Sequence, residues 1–337
     1  MKLLRKLLFP FSILYGIITW LRNFFYDIGW LKSTEFDIPV VCVGNLSTGG
    51  TGKSPMIEYL IELLQQEYRV KVLSRGYKRK TTGFLEVEVT HTASEVGDEP
   101  LQFKKKFPNI IVAVCADRRT GISKLKENAD VILLDDAFQH RKVKPSTNIL
   151  LTPFNDLYIH DYMLPTGNLR EPRSGAKRAD FIIVTKCPEG VSYAKLQEVE
   201  LALKKKENQK VYFSKIGYDA MLYGVSEILP IAYLANKSFT LVTGIANPAP
   251  LVEFLKRQNF SFDHEKFPDH HHFTTSEIAR LKQKDIILTT EKDYVRLQPS
   301  LQKFALYYLP IKTLILREQS EFLNRYVKQH IDVKRLS

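Results

Sequence analysis

The chain has 337 residues, 44% hydrophobic, 26% charged and 11% aromatic, enough to bury one large or two modest cores and too apolar for a disordered chain. Its 49 basic against 37 acidic residues leave a net charge of +12, which points to an anionic partner: nucleic acid, acidic lipid or a phosphorylated small substrate. Three cysteines, Cys42, Cys115 and Cys187, stand far apart with no CxxC pair; this excludes a disulfide framework or a cysteine-rich zinc site, fits a reducing compartment and predicts core positions.

Residues 1–30 differ in composition from the rest. Lys2, Arg5 and Lys6 precede an uncharged run from Leu7 to Leu21, closed by Arg22. As a helix that run spans about 22 Å, short of the roughly 30 Å hydrocarbon core, and Pro10 interrupts it, so a spanning helix is disfavoured. Tyr15, Trp20, Phe24 and Phe25, with no small-residue cleavage site after them, argue against a secretory signal. The expectation is an interfacial helix with its aromatic rings at headgroup depth and its basic residues on anionic lipid. A helix packed as core on the following domain is the alternative.

From Pro39 onward, continuous apolar runs predict strands at 40–43, 70–73, 110–114, 131–134, 148–151, 181–185 and 211–213. Runs without alternation are buried on both faces, so with helices between them the expected fold class is α/β, a parallel sheet covered on both sides. The clearest helix is 55–67, where Met56, Ile57, Leu60, Ile61 and Leu64 recur at helical spacing. After about Leu222 a smaller block reads strand, helix, strand, helix, strand at 239–243, 250–258, 262–267, 276–281 and 285–288. The expected division is an N-terminal segment 1–30, a main domain 31–221 and a smaller α/β lobe 222–337.

The first strand runs into Gly44-Asn45-Leu46-Ser47-Thr48-Gly49-Gly50-Thr51-Gly52-Lys53-Ser54, and the clearest helix follows at once. Strand, glycine-rich loop and helix make a phosphate cradle. Backbone N–H groups from 47–54 curl around phosphate oxygens, the helix N-terminus adds positive potential, Lys53 reaches the β and γ phosphates and the Ser54 hydroxyl meets Mg²⁺. Ser47 stands where GxxxxGK[ST] has glycine, so the motif is a relaxed P-loop. Val131 to Leu134 then ends in Asp135-Asp136, carboxylates placed to hold Mg²⁺ or its waters. Thr185-Lys186-Cys187-Pro188 lacks the aspartate of a guanine-reading NKxD.

The remaining motifs are Ser74-Arg75-Gly76-Tyr77, Gly97-Asp98-Glu99-Pro100, Asp117-Arg118-Arg119, Asp136-Ala137-Phe138-Gln139-His140, Leu164-Pro165-Thr166-Gly167-Asn168-Leu169-Arg170-Glu171-Pro172, Asp269-His270-His271-His272 and Thr290-Glu291-Lys292-Asp293. In this order, behind an apolar N-terminal helix, they resemble the tetraacyldisaccharide 4′-kinase family over about residues 1–300. Departures are Ala137 for the family's usual Gly, and Thr166 and Asn168 within LPAGPLREP. The resemblance implies a P-loop kinase with ATP and Mg²⁺ as cofactors. It would phosphorylate the 4′-hydroxyl of an acylated disaccharide 1-phosphate in lipid A biosynthesis, peripherally at the cytoplasmic face of the bacterial inner membrane. A kinase for another lipid or sugar and a membrane-recruited nucleotide switch are the alternatives; no stacking-aromatic or basic recognition motif supports nucleic acid.

The resemblance also maps an Asp–His pair onto Asp98, as the carboxylate accepting the sugar proton, and His270, as its orienter or relay. Lys53 and Arg118, the latter preferred over Arg119, are expected to neutralise charge on the transferred phosphoryl group. Ser54, Glu99, Asp135 and Asp136 are expected to share the Mg²⁺ and its waters. Arg75, Tyr77, Gln139, His140, Asn168, Arg170, Glu171 and Arg173 are expected to meet the substrate, since guanidinium forks suit phosphate. The three consecutive histidines diverge along the backbone and have no spaced ligands to complete a zinc set.

Overall fold

The computed structural model describes residues 5–269, 271–316 and 319–336. The first eight strands are β1 (Val40–Asn45), β2 (Val70–Ser74), β3 (Leu85–Glu86), β4 (Ile111–Val114), β5 (Val131–Asp135), β6 (Thr147–Pro153), β7 (Phe181–Thr185) and β8 (Lys210–Tyr218). The next six, β9 (Met221–Tyr223), β10 (Ile228–Pro230), β11 (Ser238–Thr243), β12 (Ser261–Lys266), β13 (Ile287–Thr289) and β14 (Leu306–Tyr308), form a second sheet in the order β10-β9-β14-β13-β11-β12. β15 (Ile311–Ile315) returns to the first sheet, whose order is β15-β8-β7-β6-β1-β5-β2-β4-β3. Its interior pairings are parallel and its two edge pairings, β15 with β8 and β3 with β4, are antiparallel.

The continuous apolar runs are explained by alternation between two cores. Val41, Val43, Leu133, Ile149, Leu151 and Ile183 join Met56, Ile57, Leu60 and Ile61 of the phosphate-loop helix (Lys53–Leu64) on one face. Val40, Cys42, Ile132, Leu134, Leu150 and Ile182 join Ile122, Leu125, Leu196 and Val199 on the other. Successive side chains point to opposite faces, so a strand covered on both sides is apolar at every position. Each such Val, Leu or Ile contributes about 1.5–3 kcal/mol by leaving water. The three cysteines are buried free thiols in this interior.

The second sheet begins at Met221, but the expected lobe 222–337 needs correcting at its far end. β15 and the C-terminal helix (Gln319–Leu336) belong to the first sheet, with Leu323, Val327 and Ile331 fully buried in the same core as the phosphate-loop helix. Tyr59 donates to Asn324 Oδ1 at 2.6 Å and Tyr68 to Asp332 Oδ1 at 2.9 Å. The apolar stripe of that helix is visible locally; its docking partner, more than 260 residues away in the chain, is not.

The N-terminal helix (Phe9–Asp27) is amphipathic in the inverse sense. Its buried residues are Ser12, Thr19 and Asn23, while Phe11, Leu14 and Ile18 are 62%, 58% and 56% exposed. Polar side chains hold it to the protein: Ser12 Oγ donates to Thr166 Oγ1 at 2.7 Å, Tyr15 to the Arg170 carbonyl at 2.9 Å and Asn23 Nδ2 to Glu171 at 2.9 Å. A core helix would be buried the other way round. Pro10 does not interrupt the helix; it sits in the first turn, where a missing N–H costs nothing. No helix among the described residues is long and apolar enough to cross a membrane. Beside this helix lies an apolar groove of about 490 Å³, lined by Phe9, Ile13, Ile17 and Trp20 on one side and Tyr162 and Met163 on the other.

Candidate active site

β1 is flanked by β5 and β6, and its register sets Val43 opposite Asp135. The chain therefore leaves β1 for the glycine-rich loop at the level where β5 ends in its two carboxylates. Gly49 and Gly52 have φ of 108° and 94°, in the left-handed region that favours glycine. Ser47 is not among the residues with positive φ, which is why serine is tolerated there; it bridges Leu169, and its carbonyl accepts from Asn45 Nδ2 at 2.7 Å. Thr185 Oγ1 donates to the Thr51 carbonyl at 2.7 Å, and Lys186 Nζ donates to the Gly50 carbonyl, so the end of β7 buttresses the loop. Lys53 and Ser54 open the helix.

Asp136, at φ 47°, lies 3.8 Å from Lys53 Nζ and receives both terminal nitrogens of Arg170, at 2.8 and 3.2 Å. Burial opposes its ionisation, but the Lys53 charge and the Arg170 hydrogen bonds outweigh it and hold the carboxyl below the usual range. Asp135 is the opposite case. Burial and then the negative charges of Glu99 and Asp136 push its carboxyl up to about 6, although Ser74 Oγ donates to it at 3.0 Å. Asp136 and Glu99 are each paired with basic side chains, Lys53 and Arg170 for the first and Lys292 for the second, whereas Asp135 is held by the Ser74 hydroxyl.

Glu99 and Asp98 begin the helix Asp98–Lys106, which has acidic residues in its first turn and Lys104, Lys105 and Lys106 in its last, matching the helix dipole at both ends. A Cβ added at Gly97 would lie 3.4 Å from Gly76 Cα, so this helix starts against the Arg75–Tyr77 turn that leaves β2. Two basic residues reach it from the second lobe: Lys292 Nζ is 2.7 Å from Glu99, and the Arg296 guanidinium pairs with Asp98. Lys292 outweighs the burial of Glu99 and keeps that carboxyl low. Both cations stand on the helix Glu291–Leu301, four residues apart on one face. Sequence reasoning missed them, although they lie in and just beyond the Thr290–Asp293 motif; it also missed Ser74, Asn45 and Lys186 as parts of the site.

The other expected site residues divide. Arg75 and Tyr77 are exposed beside the Asp98 helix, and Arg173 is exposed with its guanidinium on the Asp161 carbonyl. Asn168 accepts from the Thr48 N–H of the phosphate loop through its carbonyl. The His140 ring is held down to about 4 by burial and then by the Arg118 charge, so it is neutral near pH 7. Gln139 Nε2 donates to the Asn45 carbonyl at 2.6 Å and to Glu171 at 3.0 Å. Two assignments need correcting. Arg118, expected at the transferred phosphoryl group, is 2% exposed, and its two terminal nitrogens donate to the carbonyls of Cys115, Ala116 and Asp135, leaving Nε buried without a partner. Glu171, expected to meet substrate, is fully buried. His270 lies outside the described residues. Its neighbour His271 is committed to Glu277 at 2.9 Å and stacks on Phe267.

The family profile for tetraacyldisaccharide-1-P 4′-kinase matches residues 4–331. A tetraacyldisaccharide 4′-kinase of Flavobacterium johnsoniae is 51% identical over 98% of this chain and 100% of its own length. One of Parabacteroides distasonis is 44% identical over 98% of this chain and 95% of its own. Among solved structures, LpxK from Aquifex aeolicus in complex with ATP aligns with a TM-score of 0.80 at 33% identity, covering 97% of this chain and 99% of that one.

Proposed function

Because the chain belongs to the tetraacyldisaccharide-1-P 4′-kinase family, it is a kinase of lipid A biosynthesis, and we propose how its residues perform that reaction. ATP lies with its β and γ phosphates in the loop 47–54. Lys53 and the loop N–H groups neutralise them, and Asp136 with Arg170 fixes where Lys53 points. The sugar 4′-hydroxyl enters between Asp98 and the γ-phosphate. Its oxygen bonds to phosphorus as the β–γ bridging bond breaks and ADP leaves, and Asp98 takes the hydroxyl proton, with His270 as its proposed relay. Positioning and charge neutralisation carry most of the barrier reduction in such transfers.

Mg²⁺ fits the donor set. Asp135 and Glu99 with the Ser54 hydroxyl offer hard oxygens, and the Asp135 carboxyl is raised by burial first and by the Glu99 and Asp136 charges second. Mg²⁺ takes one or two protein oxygens and completes its shell with phosphate and water. When bound it would neutralise charge on the β and γ phosphates. Arg75, Tyr77 and Arg173 are the exposed candidates for the disaccharide and its 1-phosphate.

The inverted N-terminal helix supports peripheral association with an anionic membrane, in the proposed setting at the cytoplasmic face of the inner membrane, with the acyl chains near its apolar side. The single observation that carries the kinase chemistry is the approach of Lys53, after β1, to Asp136 at 3.8 Å, next to Asp135 at the end of β5 and within the charge field of Glu99. Mass spectrometry of the acylated disaccharide 1-phosphate after incubation with enzyme and Mg-ATP tests it. The expected result is a gain of one phosphate, lost with Lys53→Ala; activity on a soluble sugar alone would replace this reading by a different kinase.

A further inference from the structure

Resting on the kinase reading above, we propose that Glu171 is a positioning residue that ties the N-terminal helix to the phosphate loop, so that the seat of the helix is a condition of nucleotide-site geometry. Its side chain has no exposed surface, and its two oxygens are taken up. Oε1 accepts from Gln139 Nε2 at 3.0 Å, Oε2 from Asn23 Nδ2 of the N-terminal helix at 2.9 Å, and Arg178 donates to both at 2.8 Å. Arg178 is fixed in turn by the Phe138 carbonyl at 3.2 Å and by stacking on the Phe138 ring. A Cβ at Gly175 would lie 2.9 Å from Glu171 Oε2, so glycine there leaves room for the carboxylate. The carboxylate is enclosed by protein groups.

The contacts lead in one direction. Gln139 uses the same Nε2 to hold the Asn45 carbonyl at 2.6 Å, at the last residue of β1 before the phosphate loop. Arg170, next to Glu171, binds Asn45 and the Asp136 carboxylate. The backbone of this segment is laid along the loop: the Arg170 N–H donates to the Leu46 carbonyl and the Thr48 N–H to the Asn168 carbonyl, each at 2.8 Å, with Ser47 bridging Leu169 between them. On its other side the segment receives Ser12, Tyr15 and Asn23 from the helix. Residues 166–171 are thus a strap with the helix on one edge and the phosphate loop on the other, and Glu171 is the charged group that fastens both. Buried hydrogen-bonded groups around a reacting centre act by holding its geometry, and a displacement of about 1 Å can cost on the order of 100-fold in rate.

The test uses the full chain in detergent micelles with Glu171→Gln and, because that variant disturbs an enclosed ion pair, a second change on the helix, Asn23→Asp, which sets a second carboxylate against the first. Mg-ATP affinity by calorimetry, kcat, and KM for the acylated disaccharide 1-phosphate are measured with Tm. Both variants are expected to weaken Mg-ATP binding and lower kcat by about 10- to 100-fold, with the lipid KM within about twofold of wild type. A raised lipid KM with unchanged Mg-ATP affinity would make Glu171 a substrate contact and overturn the proposal. A fall in Tm with unchanged kinetics per folded molecule would reduce it to a structural residue and overturn it equally. Wild-type protein that binds no Mg-ATP defeats the kinase reading itself, an outcome separate from variants that match a functional wild type.

Discussion

Asp135 pays in stability for its place in the site. Burial pushes its folded carboxyl up to about 6 from the ordinary 3.8, so between about pH 4 and 6 the folded protein keeps a proton that the unfolded chain has released. The stability this gives is full below about pH 4 and lost as pH rises to 6; above that a buried charge is carried against its desolvation. Asp135→Asn, neutral throughout, is expected to stabilise the nucleotide-free protein at pH 8 by on the order of 2–3 kcal/mol, with the difference closing towards pH 4, while turnover is lost. Urea unfolding at pH 4.5 and pH 8 measures this, and equal differences at both would contradict it. Lys53, Ser54, Asp135 and Asp136 were legible because each sits at a strand end or loop whose local pattern defines the chemistry. Arg118 and Glu171 have the right residue types at the right motif positions, yet burial, which no local pattern encodes, turns both inward. Lys292 and Arg296 went unread for a related reason: their partners Glu99 and Asp98 lie more than 190 residues earlier.

Elements were legible where periodicity settles them. The strands β1, β2, β5 and β7 and the phosphate-loop helix follow from apolar runs and 3.6-residue spacing. The N-terminal helix was legible as a helix, but not the side on which it docks, because its attachment is polar and its free face apolar. That inversion predicts its behaviour on a surface. Leu14→Glu combined with Ile18→Glu, both on the outward face, is expected to reduce binding to anionic lipid vesicles by about 10- to 100-fold while leaving Mg-ATP affinity unchanged. Co-sedimentation with vesicles measures it, and undiminished binding would assign the face to something other than lipid. Changes on the inward face at Asn23 are expected to do the reverse, which separates the two faces of one helix.

At the scale of the molecule, the site is built across two sheets. The loop, Asp135 and Asp136 belong to the first, while the Glu291–Leu301 helix of the second lobe brings Lys292 and Arg296 onto Glu99 and Asp98. A second tie lies further along the same pair of helices, where Lys106 Nζ stands 2.6 Å from Glu58 and 3.3 Å from Glu291. The C-terminal helix, returning from the second lobe, covers the core beneath the phosphate-loop helix, so neither lobe is a module that ends where the other begins. One consequence follows for Asp98: it pairs with Arg296 where the lobes meet, and its proposed work is on the acceptor and not on the nucleotide. Steady-state transfer to the acylated disaccharide 1-phosphate by Asp98→Asn, with Mg-ATP affinity measured on the same protein, tests this most directly. The expectation is a kcat lowered by about 100- to 10,000-fold with Mg-ATP binding within about twofold of wild type; a variant that keeps its kcat would show that this carboxylate takes no proton from the sugar.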